Sequence, residues 1–223
     1  MKPHYHYYWS KTAEDDPLAC HLFPFHGLDT AAVFKSVWEL SPSYRECLAT
    51  ELQLTEDQAL AICLFLIALH DLGKLDGRFQ VKSLEVRNKL DPDAKPLTQE
   101  SFLHGEATLV WLMEYLEGLG LGYLREYVID IAAHHGWIST GTVKANRYLP
   151  PKDALARLSY INDLITLFLV PAGISLADIP RPVLDAERTP LFPALCTLCD
   201  WLASGKSQRK PNFPLSEEPF ELG

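Results

Sequence analysis

The stretch Thr55-Glu-Asp-Gln-Ala-Leu-Ala-Ile-Cys-Leu-Phe-Leu-Ile-Ala-Leu-His-Asp-Leu-Gly-Lys74 decides how this chain reads. It opens on a capping box, in which Thr55 accepts from the amide of Gln58 and the Gln58 side chain reaches back. From there to Leu69 the run is apolar nearly all round, the pattern of a helix buried on every side. Gly73 offers a place to stop it. His70 and Asp71 therefore stand at the end of the most apolar helix in the sequence. An unpartnered polar group in such surroundings costs roughly 2–7 kcal/mol.

Working outward, apolar residues at three- and four-residue spacing predict further helices at about 28–40, 100–117, 124–135, 153–169 and 191–204. Gly205 can close the last of these. Polar or Pro-rich connections fall at 91–96, 140–152 and 179–190, and no segment alternates for long enough to predict a sheet. The expectation is an all-α, compact single-domain helical fold over residues 1–206, with 207–223 a Pro-containing tail or linker. The chain's 223 residues, 48% hydrophobic and 22% charged, suffice for one sizeable core. No apolar run approaches the roughly 18 residues that span a bilayer. The N-terminus lacks the apolar core of a signal peptide. With five cysteines, an odd number, a reducing cytoplasm is the expected compartment and no membrane the expected partner. The net charge of −9 is opposite to that of a freestanding nucleic-acid binder. Bound metal ions or an attached partner can supply the missing positive field.

Eight histidines occur, at 4, 6, 21, 26, 70, 104, 134 and 135. His70-Asp71, His104-Gly105, His134-His135-Gly136 and Asp200 each abut an apolar helical stretch. Imidazoles suit transition metals, and a carboxylate can bridge two ions, so one Asp flanked by several His has the composition of a dinuclear hydrolytic site. His4 and His6 read as surface residues, and His21 is ambiguous. Cys196-Thr-Leu-Cys199 has redox or zinc spacing but sits inside an apolar helix, where buried thiols are the plainer reading. The basic cluster Lys206–Lys210 reads as solvated tail, and Trp137 either stacks on a base or packs against the following loop.

His-Asp-x-Gly-Lys ending an apolar helix, with an earlier His, a later isolated His, a His-His-Gly and a distal Asp, resembles the HD phosphohydrolase superfamily. More closely, the chain is similar to the HD nuclease domain of the helicase–nuclease effector of type I CRISPR–Cas systems. Trp9-Ser-Lys-Thr12, His26-Gly-Leu-Asp-Thr-Ala-Ala-Val33 and Phe65–Gln80 carry the likeness. Pro171–Pro180 and Leu198–Ser204 resemble subtype I-E members in particular, and the likeness spans most of residues 5–204. It implies a metal-dependent nuclease with two divalent transition-metal ions, cutting single-stranded DNA exposed by the Cascade surveillance complex. Fe, Mn, Co and Ni suit the donors and Zn is a further candidate. His26, His70, Asp71 and Asp200 would hold one ion; Asp71, His104, His134 and His135 would hold the other, with Asp71 bridging. Lys74 matches the motif lysine, with a catalytic role at the phosphate or a plainer one at a helix C-terminus. Most subtype I-E relatives continue into an ATP-driven helicase. No phosphate loop occurs here, because the Gly such a motif needs at position 200 is Asp, so a helicase domain or subunit is expected from elsewhere. Two other readings stand beside the nuclease: an HD phosphohydrolase acting on nucleotides, and a Cascade-docking module with a structural metal.

Overall fold

The computed structural model describes residues 3–13, 16, 18–98, 101–136, 138, 150–182 and 191–205. A hairpin, β1 (Trp9–Thr12) and β2 (Cys20–Leu22), leads into α1 (Phe23–Leu40), α2 (Pro42–Leu52), α3 (Glu56–Ala68), α4 (Gly77–Gln80) and α5 (Leu84–Leu90). Then follow α6 (His104–Gly118), α7 (Arg125–Ala132), α8 (Pro151–Leu164) and α9 (Leu191–Ala203). The domain is helical, as its apolar spacing predicts. Trp137, the Lys206–Lys210 cluster and the 207–223 tail lie outside the described residues.

The buried run becomes α3, the central helix, with Ala59 and every residue from Ala61 to Ala68 buried. Its capping box forms: the Gln58 amide donates to Thr55 Oγ1 at 3.3 Å, and the Thr55 amide donates to Gln58 Oε1 at 3.4 Å. Helix α1 crosses α3 closely at Gly27, where a Cβ would stand 2.8 Å from the Ala68 carbonyl oxygen and 2.3 Å from the Tyr160 hydroxyl. That hydroxyl donates to the same carbonyl at 3.1 Å, tying α8 to the end of α3. Helix α1 starts at Phe23, five residues before the apolar spacing places it. Pro24 and Gly27 look like breakers in the sequence. A proline is tolerated in a first turn, where its missing N–H has no partner to lose, and Gly27 is there for the crossing.

Helix α2 escapes the periodicity reading because it buries only Leu48, Ala49 and Leu52. The hairpin escapes it too. Strands of four and three residues are too short to display an alternation, and an irregularity between Trp9 and Lys11 breaks the register further. Gln80 supports β1: its side-chain amide donates to the carbonyls of Trp9 and Lys74, both at 2.9 Å, while the Trp9 amide donates to Gln80 Oε1 at 3.0 Å. Trp9, Ser10 and Lys11 are thereby laid alongside the turn that follows α3. His4 is exposed, His6 half-buried, and His21 is buried with Nε2 2.7 Å from Asp29 Oδ2. Among the described residues, no single helix is long and apolar enough to cross a membrane.

Candidate metal centre

The chain beyond α3 does not continue the helix. His70 and Asp71 occupy the turn, and Leu72–Lys74 form one tight 3-10 turn. Gly73 faces the first turn of α6 so closely that a Cβ would come within 2.0 Å of the His104 carbonyl oxygen. The Gly73 amide donates to Thr108 Oγ1 at 2.8 Å, and that hydroxyl donates to the His70 carbonyl at 3.2 Å. His104, first residue of α6, is thus held beside Asp71. Gly105 repeats the device against α7, its absent Cβ lying 2.6 Å from the Ala132 carbonyl oxygen. Helix α7 ends at Ala132, so His134 and His135 lie just beyond it in a turn. Asp200 comes from the last turn of α9 and is fully buried.

Two donor groups result. His26, His70, Asp71 and Asp200 form one, all buried; Asp71, His104, His134 and His135 form the other, with His135 exposed, and within each group the donor atoms lie within 4.8 Å of one another. Asp71 belongs to both, and its two oxygens divide the work. Oδ2 lies 3.2 Å from His26 Nε2 and 3.3 Å from His70 Nε2, whereas Oδ1 lies 3.1 Å from His104 Nε2 and 3.4 Å from His134 Nε2. Asp200 Oδ1 is 3.2 Å from His26 Nε2. All seven residues singled out in the sequence therefore meet at one place.

The imidazoles are oriented for donation. His70 Nδ1 faces the Ile67 carbonyl at 2.8 Å and His134 Nδ1 faces the Ile131 carbonyl at 2.7 Å. A carbonyl can only accept, so in each ring Nδ1 carries a proton, which leaves Nε2, aimed inward, as the atom able to bind a metal, an arrangement typical of metal-binding histidines. Burial, and then the Lys11 ammonium, lower His26 to about 4. Burial also lowers His104 to about 4, and burial with the neighbouring His134 and His104 lowers His135 to about 3. These three are neutral near pH 7. His70 is different: burial opposes its charge, yet Asp71 and Asp200 overcome this and raise it to about 9. Asp71 is held well below the usual carboxylate range: burial alone would raise it, but Lys74 and His70 prevail.

The donor set fits divalent cations. The Nε2 atoms of His26, His70, His104 and His134 and the Oδ1 of Asp71 are buried without a hydrogen-bond partner among the described residues. Each such orphan costs about 1–3 kcal/mol unless something binds it. Five nitrogens and two carboxylates favour transition metals over Mg, which prefers hard oxygen donors.

Lys74 sits inside rather than at the rim. Its Nζ lies 2.6 Å from Asp71 Oδ2 and donates to Ser10 Oγ at 3.0 Å and to the Ser10 carbonyl at 3.3 Å, with only 4% of the side chain exposed. Burial, opposed by Asp71, lowers it to about 8. Lys11, from β1, reaches Asp200 Oδ1 at 3.4 Å. Neither Ser10 nor Lys11 carries a site signal in the sequence beyond the Trp9–Thr12 likeness, because their approach depends on a hairpin too short to read. The Cys196 and Cys199 thiols are buried, and burial raises both.

The sequence model of the Cas3 HD domain matches residues 9–208. The chain belongs to the Cas3 HD-domain family. It is 33% identical to the CRISPR-associated endonuclease/helicase Cas3 of Escherichia coli (strain K12), over 89% of this chain and 25% of that protein. Its fold matches the Thermus thermophilus Cas3 HD domain crystallised in the presence of Ni2+, with a TM-score of 0.62 and 26% identity over 96% of this chain and 82% of that one. A chain from a CRISPR RNA-guided surveillance complex in a pre-nicking state shares the fold, at a TM-score of 0.64 and 21% identity, over 95% of this chain and 26% of that one. The chain spans about a quarter of the length of the curated relatives it matches.

Proposed function

We propose that this chain is a metal-dependent nuclease that hydrolyses phosphodiesters of single-stranded DNA in CRISPR interference, in the cytoplasm, working beside a helicase and the Cascade surveillance complex. The observation that carries the reading is the division of the Asp71 oxygens between two donor groups. His26, His70, Asp71 and Asp200 would hold one divalent transition-metal ion; Asp71, His104, His134 and His135 would hold a second. Such a pair supplies an activated water and neutralises charge on the attacking and leaving oxygens of a phosphodiester.

The protein's own part is positioning. The Ile67 and Ile131 carbonyls fix the tautomers of His70 and His134, and Gly73 and Thr108 hold His104 at the shared carboxylate. His135 is the exposed member of the second group, whereas all four members of the first are buried. Purified protein is to be incubated with single-stranded DNA and Mn2+, Co2+ or Ni2+, with and without chelator. Cleavage that stops with chelator and in the Asp71→Ala variant is expected. Release of phosphate from nucleotides with DNA left intact, or unchanged cleavage in Asp71→Ala, would overturn the reading.

A further inference from the structure

Among the described residues, two lysines touch the carboxylates of the centre, and their surroundings differ. Lys74 is enclosed: its ammonium is shared between Asp71 and both oxygens of Ser10, it lies over the Phe79 ring, and its side chain is 4% exposed. An arriving phosphate would have to displace Ser10 to reach it. Lys11 approaches from β1, its side chain is 25% exposed, and its ammonium stands 3.4 Å from Asp200 Oδ1, which is fully buried. Its side chain is thus partly accessible while its ammonium stands beside the donor group.

We propose that Lys11 is the residue that grips the substrate phosphate, and that Lys74 is a positioning residue acting through Asp71. The proposal rests on the nuclease reading for the identity of the substrate. Three considerations support it. The chain carries 29 acidic against 20 basic residues, so its overall field repels a polyanion and a local cation must do the binding. The Lys11 side chain is 25% exposed against 4% for Lys74, so of the two cations Lys11 is the one that solvent and an arriving strand can approach. A divalent ion on Asp200 would weaken that carboxylate's hold on the ammonium and turn it toward the phosphate. Lys74, by contrast, is held by three contacts on a side chain only 4% exposed.

Binding and cleavage are measured separately. Full-length protein loaded with Mn2+ is titrated with a fluorescent, hydrolysis-resistant phosphorothioate oligothymidylate over a range of salt concentrations, and bound metal is quantified in parallel. Lys11→Ala is expected to weaken binding by roughly 5–10-fold at low salt. It should also lessen the slope of log affinity against log salt by about 0.7, the signature of one phosphate contact on a single strand. Metal content should stay at the wild-type value, Lys11→Arg should keep the slope, and Lys35→Ala, on the exposed face of α1, should leave it unchanged. Equal slopes and affinities for Lys11→Ala and wild type would overturn the proposal. So would loss of metal in Lys11→Ala, which would make it a support for Asp200, or failure of wild type to bind the oligonucleotide. A wild-type protein that binds but does not cut unmodified DNA would refute the nuclease reading alone, and the slope would still decide the role of Lys11.

Discussion

Replacing Gly73 by Ala tests whether close helix crossings build the centre. The added Cβ would lie 2.0 Å from the His104 carbonyl oxygen, 2.8 Å from the Thr108 nitrogen and 2.9 Å from the Ala107 Cβ. Ordinary contact begins near 3.4 Å, so the first turn of α6 must withdraw by roughly 1.4 Å. The obstacles are mostly backbone, which cannot rotate aside as a side chain can. Overpacking of this kind costs about 1–3 kcal/mol, which lowers Tm by roughly 2–4 °C per kcal/mol in a domain of this size. The effect on the centre is larger than the effect on the fold. His104 moves with the turn, and displacement of a positioned group by about 1 Å is worth about 100-fold. Titration calorimetry with Mn2+ or Ni2+ should therefore find the group of His104, His134 and His135 weakened by about 10–100-fold while the group of His26 and Asp200 still binds. A Gly73→Ala protein with wild-type Tm and two ions bound at wild-type affinity would refute the reasoning.

Other perturbations separate the contributions of individual residues. His135→Ala, which removes the exposed donor, should leave one ion bound tightly and the other exchangeable within minutes by chelator; equal retention of both would count against it. At pH 7 the first ion should displace about one proton, because His70, raised to about 9, must give up a proton to donate, whereas His26, lowered to about 4, has none to lose. Calorimetry in two buffers of different ionisation enthalpy reads that proton, and none released would refute the assignment. In the metal-free protein, His26 and His104 lie below their unfolded value near 6.5, so their contribution is present above that pH and lost as pH falls toward 4. Each shift is worth about 3 kcal/mol. Urea midpoints should fall between pH 6.5 and 4.5, and a flat profile there would contradict the shifts.

All the donors but His26 were legible because each stands at the end of an apolar helix, where a titratable side chain needs a partner; His26, inside the first turns of α1, was carried by the family likeness alone. Helix ends are local events, set by a cap, a glycine or a break in apolar spacing, and a sequence records them directly. The hairpin and α2 were not legible for the same reason turned round. A four-residue strand has no period to detect, and α2, with three buried residues, is held by packing on α3 rather than by its own pattern. The environment of Lys74 was hidden as well. The motif names the lysine, but its enclosure depends on Ser10, sixty-four positions away, and on Gln80 bonding both segments.

Three glycines within two positions of a ligand-type residue have the missing Cβ against another element's backbone, Gly27 after His26, Gly73 two after Asp71 and Gly105 after His104, whereas Gly136, after His135, has open space there. Histidine and aspartate side chains are short, so donors from separate helices reach a common point only if those helices nearly touch. A single Cβ at any crossing would spread the backbones by more than the slack in a donor cluster whose atoms lie within 4.8 Å of one another. The glycines thus act on the centre without supplying an atom to it. The three positions also differ in a way that ranks them. At Gly27 the nearest obstacle is a side-chain atom, the Tyr160 hydroxyl, with the Ala68 carbonyl oxygen next at 2.8 Å, whereas at Gly73 and Gly105 the nearest is a carbonyl oxygen of another helix. Gly27→Ala should accordingly disturb the centre least, and a Tyr160→Phe change made with it should recover part of the loss, since it removes the atom 2.3 Å away; metal affinity that falls equally in all three variants would show that the crossings do not set the geometry.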